Sequence, residues 1–261
     1  MRHIRFEEVK TLIKHNIAVM TTGGKGSGKT TMITQVAEDL DLELVVMSMT
    51  RQTTLSNLLG FRNIEGTYIP TLIRHACEFG GLLLLDEADA SDPNVLLCLN
   101  TIENGFISFP DKIVQCHPDF RLAATANPQT SEYTGRAKLD AATLDRFDIV
   151  PVDTDPALEE SLVGKAIAKE MTILRKVLKN TGSSADISMR DSLRYSSRKK
   201  LNLHHSFIER LLGDNPTAAQ LFHEEMAKVP ESASQAECKT SEELWKLLIT
   251  EEKNNDDPVP F

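Results

Sequence analysis

The sequence predicts an α/β protein with a parallel sheet, followed by a smaller region that is entirely helical. Five short apolar runs alternate with helical stretches in the first part of the chain, and most of the runs contain no polar alternation. Continuously apolar strands are typical of a sheet that helices cover on both faces. No strand pattern appears after Pro156. The runs are residues 17–20, 44–49, 82–85, 120–126 and 148–152.

The helical region begins with apolar residues at helical spacing from Leu158 to Leu178, which predict one helix ended by Gly182. Further helices are predicted over residues 188–198, 204–212 and 217–228, with a last short one that carries Trp245. We therefore expect an α/β domain over residues 1–154, a helical domain over 155–250 and a frayed acidic tail over 251–261.

The composition is that of an ordinary globular protein, with 41% hydrophobic and 26% charged residues among 261. A net charge of −9 argues against binding nucleic acid by bulk attraction, although it leaves room for a local basic patch. The longest apolar run, residues 95–99, is far shorter than the ~20 residues of a membrane span. The N-terminus has no signal-peptide core. We expect a cytoplasmic protein without a membrane segment.

The four cysteines form no CxxC pair, so we expect free thiols. The neighbours Cys116 and His117 would point to opposite faces of a strand and make a poor chelate. The pair His204 and His205 is treated with the same caution. No structural metal is predicted.

A glycine-rich loop lies between the first predicted strand and a predicted helix. Residues 23–30 read Gly-Gly-Lys-Gly-Ser-Gly-Lys-Thr and satisfy G-x-x-x-x-G-K-[ST]. In this context backbone N–H groups and a helix N-terminus hold phosphates, which disfavours a chance glycine-rich turn. Lys29 is expected to neutralise the β- and γ-phosphates of ATP, and the Thr30 hydroxyl to bind Mg²⁺. The nucleotide-binding residues are predicted to be Gly23, Gly24, Lys25, Gly26, Ser27, Gly28, Lys29, Thr30 and Thr31.

Two carboxylates follow the apolar run at residues 82–85. Downstream of a phosphate-binding loop, Asp86 is expected to hold Mg²⁺ and Glu87 to orient and activate the attacking water. Asp89 and Asp92 are interpreted as structural, and Ser91 or Asp92 as the cap of a helix from Pro93 to Gly105.

Three more polar residues are candidates whose signal is weak when each is taken alone. Asn127 ends the predicted strand 120–126, where its amide would reach the lytic water or the γ-phosphate. An ordinary Asn-Pro turn is the alternative. Arg146 precedes the last strand, and Arg190 opens a later helix. Each arginine is equally compatible with surface exposure, and Arg146 also with an ion pair to Asp145 or Asp148.

In order and spacing, residues 23–30, Asp86 with Glu87, Asn127, Arg146 and Arg190 together resemble an AAA+ ATPase. The details are similar to the MoxR-like branch with an insert in helix 2, close to the ATPase subunit of aerobic cobalt chelatase. The most specific stretches are residues 103–105, 117–128, 133–135 and 144–147.

The resemblance implies a three-layer P-loop fold with sheet order 5-1-4-3-2 and a helical lid. It implies that Asn127 is sensor 1, that Arg146 is the arginine finger acting on a neighbour's ATP, and that Arg190 is sensor 2. Arg136 is a second candidate for an interface arginine. A hairpin around residues 63–67 and another over 106–114 would face the pore of a homo-oligomeric, hexameric ring.

The chain shows no substrate, nuclease or von Willebrand A module, so its specificity is expected to come from a separately encoded protein, such as one with a von Willebrand A domain. Mg²⁺-dependent ATP hydrolysis would then remodel a partner protein or drive metal insertion. Two alternatives remain. A nucleic-acid motor with a nuclease partner is disfavoured by the acidic balance, and an assembly scaffold is disfavoured by the presence of Glu87 and Arg146.

Overall fold

The computed structural model describes residues 1–128, 139, 141–183, 187–213 and 215–228. The chain divides into two compact units, which we call the core unit (His3–Asp153) and the helical unit (Thr154 onward, with Met1 and Arg2). Some predictions concern residues outside the described ones, namely the motif 133–135, Arg136, Cys238, the helix around Trp245 and the tail 251–261.

Nine strands occur among the described residues of the core unit. They are β1 (Val19–Thr22), β2 (Leu44–Ser48), β3 (Phe61–Arg62), β4 (Tyr68–Ile69), β5 (Gly81–Asp86), β6 (Phe106–Ser108), β7 (Ile113–Gln115), β8 (Phe120–Ala126) and β9 (Asp148–Pro151). Five of them form a parallel sheet in the order β2-β5-β8-β1-β9. Numbered among themselves these strands run 2-3-4-1-5, so the predicted order 5-1-4-3-2, read from the other edge, is confirmed.

The described helices divide between the two units. Those of the core unit are α1 (Phe6–Lys14), α2 (Lys29–Asp39), α3 (Leu55–Leu59), α4 (Leu72–Phe79), α5 (Pro93–Leu96) and α6 (Ala141–Leu144), with 3₁₀ segments at Ala88–Ala90 and Leu97–Asn104. Those of the helical unit are α7 (Pro156–Val163), α8 (Lys165–Asn180), α9 (Met189–Lys200), α10 (His205–Leu212) and α11 (Pro216–Ala227). No described helix is long and apolar enough to cross a lipid bilayer.

Helices cover both faces of the sheet, and alternate strand residues pack into separate cores. Leu83 and Leu85 of β5 join one cluster with Ile73 of α4, whereas Leu82 and Leu84 join another with residues of α1 and α2. Successive side chains of a strand point to opposite faces, so a strand covered on both sides must be apolar throughout. This explains the uninterrupted apolar run at residues 82–85, and the three-layer fold is confirmed.

Two short hairpins lie outside the sheet. The first hairpin, residues 61–69, pairs Phe61 with Ile69 and Arg62 with Tyr68. The second hairpin, residues 106–115, pairs Ile107 with Val114. Both were expected from the sequence at these places.

Two predicted helices differ from those found. The helix expected from Pro93 to Gly105 is α-helical only to Leu96 and continues as a 3₁₀ segment to Asn104. The Asp92 side chain accepts the Asn94 N–H and caps its start, whereas the Ser91 hydroxyl donates to the Ala88 carbonyl instead. The long helix expected over 158–178 is two helices, because Gly164 adopts φ 84° and ψ 155°, which is not helical. Its N–H still bonds the Glu160 carbonyl, so it ends α7 and starts α8.

The helical unit has its own apolar core and a buried ionic cluster. Glu159 of α7 is 1% exposed and accepts from both terminal nitrogens of Arg175, at 2.8 and 2.5 Å. The Ser192 hydroxyl donates to the same carboxylate. The Arg175 Nε donates to the Ile187 carbonyl at 3.0 Å. The charge of Glu159 is therefore balanced within this unit.

Candidate active site

The glycine loop joins α2 to β1, an interior strand of the sheet that lies between β8 and β9. Gly23 has no room for a side chain, since an added Cβ would lie 2.0 Å from the Val152 carbonyl oxygen. Gly28, with φ 94° and ψ 16°, is the left-handed residue from which α2 begins. The loop backbone is thus turned onto the N-terminus of an 11-residue helix, which favours anions.

Two polar side chains of the loop are directed at the loop itself. The Lys29 ammonium donates to the carbonyl oxygens of Gly23 and Gly24 at 2.8 and 2.9 Å. This places a positive charge against the loop backbone. The Ser27 hydroxyl is buried and has no hydrogen-bond partner among the described residues. A loop with a confined cation and an unused hydroxyl suits a phosphate chain.

Asp86, at the end of β5, accepts hydrogen bonds from hydroxyl groups of two neighbouring elements. Its Oδ1 accepts from the Thr30 hydroxyl at 2.8 Å and from the Thr125 hydroxyl at 2.6 Å. No lysine or arginine among the described residues pairs with Asp86. Its negative charge is therefore surrounded by neutral donors only.

Thr125 was not predicted as a site residue. In the register of β5 and β8, Leu85 pairs with Ala124, so the next residues, Asp86 and Thr125, come side by side. The available signal was a hydroxyl residue near the end of an alanine-rich strand, two positions before Asn127. Threonine is common in strands, and for that reason the signal was not read as functional.

Glu87 is exposed and stands in a backbone conformation that non-glycine residues rarely adopt, with φ 56° and ψ 45°. Its N–H donates to the Thr125 hydroxyl oxygen at 2.8 Å. Thr125 thus donates to Asp86 and accepts from Glu87, so one side chain fixes both carboxylate residues. Backbone strain of this kind persists where surrounding contacts hold it, and it is enriched at functional sites.

Asn127 follows β8 at the same edge of the sheet and is 7% exposed. Its amide nitrogen donates to Asp89 Oδ2 at 3.4 Å, and Asp89 is itself 2% exposed. Asp89 therefore bonds the side-chain amide of Asn127, a residue that the sequence predicts for the site.

The oxygen atoms at this edge fit Mg²⁺ bound together with a nucleotide. Mg²⁺ prefers oxygen ligands, is held by only one or two carboxylates, and keeps waters and phosphate oxygens. The Thr30 hydroxyl and the Asp86 carboxylate are such ligands and lie 2.8 Å apart. Among the described residues no cluster of three or more His, Cys, Asp or Glu side chains is arranged to hold a metal by itself.

Arg146 lies at the opposite end of the strands. Asp148, two residues later, pairs with Val19 at the start of β1, whereas the glycine loop follows Thr22 at the end of β1. Four parallel-strand residues separate the two ends by roughly 10 Å, before either loop is added. The Arg146 Nε lies 3.2 Å from Glu103 Oε1. The ion pair we considered with Asp145 or Asp148 is replaced by one with Glu103.

The structure thus brings Lys29, Thr30, Asp86, Glu87 and Asn127 to one edge of the sheet. Arg190 belongs to the helical unit, where it is half-buried near the start of α9, just after the Ser188 cap.

Part of this chain is similar to a known family and to named proteins. Residues 18–147 match the family described as an AAA domain of the dynein-related subfamily. The aerobic cobaltochelatase subunit CobS of Sinorhizobium sp. is 30% identical over 152 residues, which are 52% of this chain and 46% of that protein. Midasin of Dictyostelium discoideum is 30% identical over 152 residues, which are 52% of this chain and 2% of that protein. The chain thus spans under half the length of either relative.

A solved structure from Cytophaga hutchinsonii, titled as that of a candidate ATPase, covers 95% of this chain and 89% of its own, with 16% identity and a TM-score of 0.46. The family match includes the glycine loop, both carboxylates, Asn127 and Arg146. Residues 18–147 form an AAA domain, and the chain is an AAA+ protein that resembles the cobaltochelatase subunit.

Proposed function

We propose that this chain binds ATP with Mg²⁺ at the glycine loop and hydrolyses it to ADP and phosphate. The observation that carries the proposal is the charge of Asp86, which is fixed by two hydroxyl groups and balanced by no described cationic side chain. A carboxylate so placed, next to a loop that suits phosphates, is suited to a divalent cation.

Each residue then has a distinct task. Lys29 leaves the carbonyls of its own loop and neutralises the β- and γ-phosphates. Thr30 and Asp86 would hold Mg²⁺, which when bound would neutralise phosphate charge. Glu87 orients the attacking water and accepts its proton, while Thr125 holds the Glu87 backbone in place. Asn127 directs its amide at the same water or at the γ-phosphate.

We further propose that catalysis is completed between subunits of a ring. Arg146 stands at the end of β9 remote from its own glycine loop, which favours action on the ATP of a neighbouring copy. The Arg146 charge of one subunit would stabilise the phosphoryl group that is transferred at the glycine loop of the next subunit. The hexameric ring, and sensor roles for Arg190 and Asn127, belong to this proposal.

The work done is proposed to be the remodelling of a separately encoded partner protein, such as one with a von Willebrand A domain, or metal insertion. The name of the cobaltochelatase subunit supports a chelatase-like assembly, and the composition supports a protein partner. The net charge of −9 disfavours a nucleic-acid motor.

Substitutions of Lys29 and Glu87 test the chemistry. Lys29→Ala should weaken ATP binding, because an ammonium that faces phosphate is lost. Glu87→Gln should bind ATP but hydrolyse it very slowly, since an amide cannot accept a proton. Glu38→Gln, an exposed carboxylate on α2, is the matched control and should be as active as the unmodified chain. Near-normal steady-state hydrolysis by the Glu87→Gln protein would remove Glu87 from its role.

A second measurement separates the protein-directed proposal from the nucleic-acid motor. DNA or RNA at physiological salt should leave the ATPase rate unchanged. A several-fold stimulation that disappears as salt rises would favour the motor, because phosphate contacts depend steeply on salt.

A further inference from the structure

Arg74, on α4, is a buried cation outside the candidate active site. It is 5% exposed, yet its guanidinium touches side chains from three separate pieces of the chain. A charge is costly to bury, and arginine is tolerated there only when its donors and its planar faces are both used.

The second hairpin provides the strongest of these contacts. At its turn, Asp111 accepts from both terminal nitrogens of Arg74, at 2.8 and 3.3 Å. The ring of Phe109 lies 4.6 Å from the guanidinium carbon. The hydrogen bonds from Arg74 lower the pKa of Asp111 below its usual range. Burial lowers the pKa of Arg74, but the bonds to Asp111 and Glu78 outweigh this and raise it.

The first hairpin contacts the same guanidinium from another side. The Tyr68 ring lies 5.4 Å from the guanidinium carbon, and the Tyr68 hydroxyl donates to the Leu59 carbonyl at 2.6 Å. The hairpins also touch directly, since the Arg62 Nε donates to the carbonyl of Pro110, in the second hairpin's turn, at 3.2 Å. Ile64, at the tip of the first hairpin, is fully exposed.

We infer that Arg74 is a positioning residue that couples the two hairpins, so that a displacement of either one moves the other. One guanidinium is held by Asp111 of the second hairpin and stacked on Tyr68 of the first. Movement of the second hairpin would break the Asp111 bonds to this buried guanidinium. Movement of the first would take the Tyr68 ring away from it. One consequence rests on the proposed function: a partner protein that the chain remodels should contact both hairpins as a single surface.

Glu78 provides a control within the same cluster. It pairs with Arg74 at 2.9 Å and with Lys112 of the second hairpin at 3.4 Å, but it lies one turn further along α4 and on neither hairpin. Removing its charge perturbs the same guanidinium without breaking a link between hairpins. Asp111→Asn and Glu78→Gln therefore make the same chemical change at positions with opposite predicted consequences.

The test is hydrogen–deuterium exchange with mass spectrometry on the full chain, without nucleotide, followed over residues 60–70 and 106–115. Asp111→Asn should speed exchange in the first hairpin, on which Asp111 does not lie, by about tenfold or more, the size expected for losing a hydrogen bond to a charged group. Glu78→Gln should change it less than about threefold, because the contacts of Arg74 with Asp111 and Tyr68 stay in place. First-hairpin exchange unchanged by Asp111→Asn, with the second hairpin loosened, would overturn the inference.

The reciprocal experiment starts from the other hairpin and remains informative if Asp111→Asn fails to fold. Tyr68→Leu removes the ring that lies over Arg74, whereas Tyr68→Phe keeps the ring and loses the hydroxyl, with its bond to Leu59 and its polar interaction with Arg74. Tyr68→Leu should speed exchange of residues 106–115 several-fold, and Tyr68→Phe should not. Equal effects of both variants on the second hairpin would contradict coupling through Arg74.

These readouts need no ATP, so they separate two possible failures. If the hairpins respond together but the unmodified chain hydrolyses no ATP, the coupling stands and the proposed function fails. If hydrolysis is found and the hairpins respond independently, the reverse holds. None of the four substitutions touches a residue of the candidate active site, and hydrolysis without a partner should stay within about twofold of the unmodified rate.

Discussion

Asp86 of the core unit is a half-buried carboxylate and Glu159 of the helical unit is a buried one, and they differ in what surrounds them. Glu159 is held by the guanidinium of Arg175 and by the Ser192 hydroxyl. Asp86 is held by the hydroxyls of Thr30 and Thr125 and by no described cation. The first charge is neutralised inside the chain, and the second keeps its capacity to bind a cation from outside.

This difference distinguishes polar residues that support the folded state from polar residues that serve the activity. Removing one partner of a buried ion pair leaves a lone charge in the interior, so the loss should be seen in unfolding. A charge fixed by neutral donors is positioned at some cost in stability, and its loss should be seen in activity. Substitutions in the two units should therefore affect different measurements.

The largest effect is expected for Arg146, on the activity side of the comparison. Arg146→Ala should lower ATP hydrolysis by about 10³–10⁵-fold, the contribution of arginine fingers, while ATP binding by the same chain is retained. The measurement is steady-state hydrolysis beside equilibrium nucleotide binding. An Arg146→Ala protein that hydrolyses at the unmodified rate would end the assignment and make Arg136 the residue to test.

A mixture tests whether the effect passes between subunits. Arg146→Ala and Lys29→Ala chains should each be nearly inactive alone. Mixed, they form interfaces with an intact Lys29 on one side and an intact Arg146 on the other, so part of the activity should return. Subunit exchange must be shown independently, because a ring that needs every site would stay inactive in the mixture.

Arg175 gives the largest expected effect on stability. Arg175→Met leaves Glu159 buried without its cation and should lower the opening free energy of α7 and α8 by about 3–5 kcal/mol. Hydrogen exchange of those helices measures it, with β5 and β8 as the internal reference. The double variant Arg175→Met/Glu159→Met should recover most of the loss, since no lone charge remains. A single variant as stable as the unmodified chain would contradict the distinction between the two carboxylates.

The sheet was predictable from the sequence because its signals are local and redundant. Residues 82–85 are apolar throughout, as both faces of β5 are covered, and the glycine loop marks the strand before it. The break at Gly164 was missed for the opposite reason. Apolar spacing continues across it at helical period, and only the backbone angles of one glycine interrupt it.

The candidate site was predictable only in part, because sequence motifs show residue types and not registers. Asp86 and Glu87 stand out as charges after an apolar run, whereas Thr125 is an ordinary strand residue until β5 and β8 are aligned. The same holds for the ion pair that was one alternative for Arg146. Asp145 and Asp148 are neighbours in sequence, but the loop brings the side chain to Glu103.

Thr125 fixes the local structure and also positions two carboxylate residues of the candidate site. Its substitution should have an effect on hydrolysis of intermediate size. Thr125→Val removes the hydroxyl that bonds Asp86 and the Glu87 N–H, and should lower hydrolysis by about tenfold to a hundredfold, as for a hydrogen bond to a charged group. Thr125→Ser should restore most of the rate. Thr21→Val is the matched control, since its buried hydroxyl bonds only the Ala124 carbonyl. Equal losses of rate in Thr21→Val and Thr125→Val would mean that packing, and not the link, sets the effect.

The smallest effect concerns two thiols of the core unit that are paired with each other. The sulfur atoms of Cys77 and Cys116 are 3.4 Å apart, and the Cys77 thiol donates. That hydrogen bond lowers the pKa of Cys116, whereas the pairing with Cys116 and burial raise the pKa of Cys77. Burial raises the pKa of Cys98 to about 12. Of the pair, Cys116 should therefore lose its proton first.

Thiolates are the reactive form, so Cys116 should be alkylated before Cys77 and Cys98 when the folded chain meets iodoacetamide near pH 7.5. Peptide mass spectrometry over time gives the order. Cys77→Ala removes the donor and should slow the modification of Cys116 by less than about tenfold, because a weaker thiolate population is partly offset by higher intrinsic nucleophilicity. Cys98→Ala, which leaves the pair intact, should not slow it at all. Modification of Cys98 or Cys77 ahead of Cys116 would show that the hydrogen bond does not set the proton, and that burial by itself decides which thiol of the core unit reacts.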